Sequence, residues 1–259
     1  SPVFLLFCTL PKFPGLPGGK VLCQSGGSMA SAKTHLFLFD IDGTLITSAG
    51  AGVHALRLAV KDFFGVEDDL AGVEIAGRPD KWITSCLFKK FGQVETPERV
   101  TAFLDIYLGY LHQQLPHCPG HVLPGIVELL EELKARETVS LALLTGNLVK
   151  GAELKLTHYG VWHYFEFGAY ADDSPNRNDL GPVAQQRAFD KYRVKFAPEN
   201  PFILGDTPHD IACGEVIGAK TVAIATGNYT AEELAAYNPT YLFKDLSDVP
   251  GVLATLGIA

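Results

Sequence analysis

From residue 35 onward the chain alternates short, strongly apolar runs with stretches of helical period, and this alternation narrows its fold more than any other feature. The runs fall at residues 35–40 (HLFLFD), 139–145 (VSLALLT), 164–170 (YFEFGAY), 201–206 (PFILGD), 220–226 (KTVAIAT) and 240–243 (TYLF). Apolar residues at helical spacing fill the intervals 126–136, 149–158, 181–192, 210–218 and 231–237. Short strands that are apolar on both faces and separated by helices form a mostly parallel sheet with helices on each side, so the expectation is an α/β fold.

One interval departs from the rhythm. Residues 48–122 contain helical patterns and no convincing strand. AGVHALRLAVKDFFG places Val53, Leu56, Val60 and Phe63/Phe64 on one face, PDKWITSCLFKKFG has Pro79 at a helix start, and TPERVTAFLDIYLGYLHQQL opens with a Thr-Pro-Glu helix signal. The turn signal LPG at 123–125 marks the return. The expected layout is a core of residues 33–47 and 123–259, with a helical insertion at 48–122.

Composition limits the partners. A chain of 259 residues with 47% hydrophobic content can bury a substantial core, and its formal net charge of −8, without a dense Lys/Arg cluster, disfavours nucleic acid or an anionic membrane. Five scattered cysteines without a C-x-x-C pair encode neither a disulfide framework nor a zinc site, and point to a reducing, cytoplasmic setting. His117 and His121 flank Pro119-Gly120, which reads as a loop rather than a metal pair. In residues 1–32 the eight-residue run VFLLFCTL is too short for a bilayer span and lacks preceding basic residues, so this stretch reads as a disordered leader.

The chemistry gathers at strand ends. Asp40 and Asp42 follow the first run, Thr145 and Asn147 the second, Asp206 and Asp210 the fourth. Ligands of open α/β sheets bind outside the carboxyl ends of the strands, so these groups, remote in sequence, are expected to converge. One carboxylate can attack a phosphoryl group while a second moves the proton. Clustered carboxylates repel one another unless a cation lies between them, and hard oxygen ligands suit Mg²⁺. Thr145 and backbone N–H groups around Gly43, Thr44 and Gly146 can bind phosphoryl oxygens. Taken singly, DxDG could be an Asp-Gly turn, TGN a polar turn and GDTPHD a helix cap; a calcium loop is excluded because Leu45 and Ile46 follow where further acidic ligands would stand.

DIDGTL, LLTGN and GDTPHD in this order resemble the haloacid dehalogenase-like (HAD) hydrolase superfamily, and most closely its phosphoglycolate-phosphatase-like members; the insertion after the first motif resembles their type 1 cap. The resemblance implies a Rossmann-like core and a Mg²⁺-dependent phosphatase acting on a small phosphorylated metabolite through an aspartyl-phosphate. It implies Asp40 as nucleophile, Asp42 as general acid/base, Thr145 as phosphate ligand, and Asp40, Asp42 (by its backbone carbonyl) and Asp206 around the metal, with Asp210 in support. Gly43, Thr44, Gly146 and Asn147 would complete the phosphate site. Where the family usually carries a lysine this chain has Arg177, expected as the cation tying Asp40 to phosphate. Arg78, in AGRPDKW, is the candidate anion contact from the cap. Arg187 and Lys191 are expected to be solvated charges. The alternatives are a phosphomutase of the same fold and a non-catalytic phosphate-binding protein.

Overall fold

The computed structural model describes residues 33–197 and 199–258, so the leader reading of residues 1–32 lies outside the described residues. Six parallel strands make the sheet: β1 (His35–Phe39), β4 (Val139–Leu144), β5 (Gly168–Ala169), β6 (Pro201–Gly205), β7 (Lys220–Ile224) and β8 (Tyr241–Phe243), in the order β5-β4-β1-β6-β7-β8. β1 lies centrally, with Phe37 opposite Leu141 on one side and Phe202 on the other. The sheet is covered on both faces, as its uninterrupted apolar strands require. One face packs Phe37, Phe39, Leu141 and Leu143 against Leu129, Leu133 and Leu156; the other packs Leu36, Leu38 and Ala142 against Leu180, Ala184 and Cys213.

The covering helices are α4 (Ile126–Lys134), α5 (Val149–His158), α6 (Leu180–Tyr192), α7 (Pro208–Ile217), α8 (Ala231–Ala235) and α9 (Val249–Leu256). The helix α9 was not read from its sequence, VPGVLATL, because Pro250 and Gly251 break the pattern and its apolar residues show no polar face. The run at 164–170 proves mostly irregular: a 3₁₀ turn covers Trp162–Tyr164 and only Gly168–Ala169 pair with β4. Arg187 and Lys191 keep much of their side chains in solvent, as expected, and sit in surface ion pairs, Arg187 with Asp173 and Lys191 with Glu166, while Arg187 also donates to the Gly168 carbonyl.

Between β1 and α4 lie α1 (Ala51–Phe64), α2 (Asp80–Lys90) and α3 (Pro97–Gln114). They share an apolar cluster, joined by Leu148 and Ala171 from the core, with Leu56, Val60, Leu87, Phe88, Phe103 and Leu111 buried and Phe63 and Phe64 packed edge-on against Phe88. The interval is not strand-free at its ends: β2 (Ile46–Thr47) and β3 (His121–Val122) pair antiparallel, so the chain leaves and returns through a two-stranded neck. His121 is part of that neck rather than of a loop.

Candidate active site

β1 ends at Phe39, and the next residue turns its carboxylate to the carboxyl edge of the sheet. Asp40 is 4% exposed and one oxygen lies 3.0 Å from Arg177 Nη2. Beside it stand Asp206, following β6, and Asp210 in the first turn of α7; the three buried carboxylates lie within 4.8 Å of one another. Burial drives the Asp40 carboxyl up to about 6, with the Asp210 and Asp42 charges reinforcing it and Arg177 opposing. Burial, with the Asp40 and Asp210 charges, pushes Asp206 well above the ordinary range.

Two glycines make room for Asp206. A Cβ on Gly43, whose φ is +85°, would fall 2.3 Å from Asp206 Oδ2, and one on Gly227 would fall 1.7 Å from it. Thr44 donates its hydroxyl to Asp206 Oδ1 at 3.3 Å, and Thr226 donates to the Gly43 carbonyl at 2.6 Å. Asp210 also serves its helix: Thr207 donates to Oδ2 through N–H at 3.1 Å and through its hydroxyl at 2.7 Å, closing a capping box. Asp210 thus acts as a helix cap and lies in the acidic cluster at once.

Arg177, 5% exposed in a 3₁₀ turn at Arg177–Asp179, joins three segments. Nη2 lies 2.5 Å from Asp210 Oδ1 and 3.0 Å from Asp40 Oδ1, and Nη1 donates to the Gly77 carbonyl at 3.0 Å. Its Nε is buried without a partner. One guanidinium cannot neutralise three carboxylates. The remaining negative charge and the all-oxygen donor set of Asp40, Asp206 and Asp210 fit a hard divalent cation such as Mg²⁺.

Asp42 sits apart from that cluster and is bound differently. Its Oδ2 receives Lys155 Nζ at 2.5 Å and Asn147 Nδ2 at 2.9 Å, and Ser48 reaches Oδ1 at 3.4 Å. Burial pushes Asp42 up, but the Lys155 charge and these hydrogen bonds outweigh it and hold the carboxyl below its ordinary value. The side chain is enclosed by protein yet keeps 40% of its surface open to the cleft, so both effects act on it.

Lys155 was not singled out from the sequence. It lies on the buried face of α5 with Gly151, Ala152 and Leu156, a position where helical spacing demands an apolar residue. A lysine on that stripe was the available signal. Its ammonium also donates to Asn147 Oδ1 at 2.7 Å.

Of the expected phosphate ligands, Gly43, Gly146 and Asn147 line a cleft of about 380 Å³ together with Asp40, Asp42 and Asp206. Thr145 and Thr44 are fully buried behind it: the Thr145 hydroxyl accepts from Asn147 Nδ2 at 3.0 Å, and the Thr44 hydroxyl is spent on Asp206. Arg78 is on the cleft wall, but its guanidinium is turned to Glu74 at 2.6 and 2.8 Å and stacks 4.3 Å over Trp82. Asp80 opens α2 and reaches across: its N–H donates to the Gly146 carbonyl at 2.7 Å, and its Oδ2 accepts from Leu148 N–H at 2.8 Å. The approach is close enough that a Cβ on Gly146 would lie 2.5 Å from the Arg78 carbonyl oxygen.

Known proteins resemble this chain. The sequence profile described as Haloacid dehalogenase-like hydrolase matches residues 37–224. A protein of Dickeya dadantii named "Probable phosphatase IndB" is 30% identical over 230 residues, covering 85% of this chain and 94% of that one. "Phosphoglycolate phosphatase" of Vibrio parahaemolyticus is 25% identical, covering 87% and 99%. Among solved structures, a hydrolase from Pseudomonas syringae superposes with a TM-score of 0.67 at 22% identity, over 86% of this chain and 99% of that one, and so shares the fold. The match runs from the strand that carries Asp40 to the strand beyond Asp210, and the chain belongs to the haloacid dehalogenase-like hydrolase family.

Proposed function

We propose that the protein is a Mg²⁺-dependent phosphatase that hydrolyses a small phosphomonoester through an aspartyl-phosphate on Asp40. The observation that carries this reading is the division of labour between two carboxylates one residue apart: Asp40 faces Arg177 and the acidic cluster, whereas Asp42 faces Lys155, Asn147 and the open cleft. The names of the relatives, phosphatase and phosphoglycolate phosphatase, support it.

Asp40 attacks phosphorus as the bond to the leaving oxygen breaks, and Asp42 gives that oxygen a proton. A water, deprotonated by Asp42, then releases phosphate and returns Asp40. Asp40, Asp206 and Asp210 would hold the Mg²⁺, with the Asp42 backbone carbonyl; bound there, it supplies positive charge to the attacked phosphoryl group. An entering phosphate dianion places like charge beside Asp42 and raises its affinity for the proton it must deliver. Gly43, Gly146 and Asn147 line the phosphoryl site. Thr145 acts behind them by holding the Asn147 amide, and Arg177 holds Asp40. The three helices at 48–122 form the cap, and Arg78 can meet substrate only by leaving Glu74.

Asp40→Asn is expected to abolish Mg²⁺-dependent hydrolysis of p-nitrophenyl phosphate while circular dichroism shows an intact fold. Undiminished turnover by that variant overturns the assignment.

A further inference from the structure

The cleft extends past Asp42 into a pocket whose chemistry is specific. Tyr107 of α3 is 5% exposed and lines the cleft, yet its hydroxyl has no hydrogen-bond partner among the described residues. That hydroxyl opens onto the cleft, where water or a ligand can pair with it. A Cβ built on Gly52 would be 3.7 Å from both Tyr107 Oη and Lys155 Nζ, so the phenol converges on the ammonium that holds Asp42. Asp80 is the other polar group of this wall; Leu148 occupies Oδ2, leaving Oδ1 to accept. Burial, with the Asp80 and Asp42 charges, keeps the Tyr107 phenol protonated and a donor.

The surroundings settle the charge of what fits. Val53, Leu56, Ile83 and Leu104 complete the wall. Each cation lining the cleft is already matched: Arg78 by Glu74, Lys155 by Asp42, Arg177 by Asp40 and Asp210. No cation of the cleft lining is left to receive a second anion, and Asp80 would repel one.

We propose that Asp80 and Tyr107, above Lys155, form a subsite for the leaving group, which takes a neutral, hydroxyl-bearing carbon skeleton and rejects a carboxylate or a second phosphate. A substrate hydroxyl donates to Asp80 Oδ1 and accepts from Tyr107, while the carbon skeleton lies against Leu56 and Leu104. This rests on the phosphatase reading above, and it sets the chain apart from what the name phosphoglycolate phosphatase says of its relatives.

The test is a matched pair. sn-Glycerol 3-phosphate and 3-phosphoglycerate are alike in size and differ by a hydroxymethyl against a carboxylate; p-nitrophenyl phosphate reports the chemistry without either. With the full chain and Mg²⁺, kcat/KM is expected to favour glycerol 3-phosphate over 3-phosphoglycerate by about tenfold or more. Tyr107→Phe should shrink the preference for glycerol 3-phosphate over p-nitrophenyl phosphate by about 5–10-fold. Asp80→Asn should shrink the preference over 3-phosphoglycerate by about fivefold or more. Equal or better turnover of 3-phosphoglycerate, or ratios untouched by both substitutions, overturns the subsite while leaving the phosphatase reading intact. A wild-type protein that cannot turn over p-nitrophenyl phosphate overturns both.

Discussion

Two charged side chains decide what Asp40 and Asp42 can do, and only one of them was visible in the sequence. Arg177 follows a strand where the resemblance leads one to look for a cation, and it lies 3.0 Å from Asp40. Lys155 was not singled out, since it stands out only once the apolar stripe of α5 has been drawn through it. Yet burying an ammonium costs free energy unless it is paired, and its pairing fixes the Asp42 carboxylate. Lys155→Met keeps the stem and removes the charge. Steady-state turnover of p-nitrophenyl phosphate is expected to fall by about 10²-fold with a retained burst of nitrophenolate. The reason is that nitrophenolate leaves unprotonated, whereas the attacking water still needs an oriented Asp42. Rapid-quench kinetics per folded site check this, and a burst that falls in step with turnover, or no change in either, refutes it. The acidic residues were legible because four aspartates at strand ends have no apolar explanation. The burial of Thr145 and Thr44 was not, because hydroxyl direction is set by packing.

At the scale of elements, the N-terminus of α5 is closed by carboxylates from elsewhere in the chain. Asp80 of α2 receives Leu148 N–H at 2.8 Å and Asp172 receives Val149 N–H at 2.7 Å, so α5 needs no cap of its own and its start carries no cap residue. Burial raises Asp80 to about 6, with the Lys155 charge opposing. The folded state therefore keeps a proton that the unfolded chain releases from about pH 4, and stability declines as pH climbs from there to about 6. Asp80→Asn retains an acceptor for Leu148 and removes the titration. Its stability relative to wild type is expected to improve by about 1–2 kcal/mol between pH 4 and pH 7, allowing for water in the cleft. Urea denaturation at the two pH values measures the difference, and a constant offset would contradict it. The strands with uninterrupted apolar runs were legible at the level of residues, β1, β4, β6 and β7 ending within one or two positions of expectation. The neck strands β2 and β3 were not, since two residues apiece leave no periodicity to detect.

Across the whole molecule, the helical insertion meets the sheet core through Leu148 and Ala171, which join its apolar cluster, and along a polar seam. Asp80 bonds Gly146 and Leu148, His209 meets Glu74 at 2.8 Å, and Arg177 holds the Gly77 carbonyl. The existence of an insertion was legible from its unbroken helical patterning. The seam was not, since it joins single polar residues about 70 to 135 positions apart, a separation that no local pattern records. Arg177 gives this seam an evolutionary consequence. The Arg177 guanidinium holds the Asp40 carboxylate with one nitrogen and the insertion's backbone with another, a span that a compact ammonium does not match. A chimaera carrying a relative's insertion in place of residues 48–122 is expected, per folded molecule, to turn over p-nitrophenyl phosphate about tenfold or more slowly unless the graft presents a carbonyl where Gly77 does. An unmatched graft as fast as the parent would show that the two parts evolved as separable modules. If the slower rate is found, this arginine has made one inheritable unit of two pieces of chain.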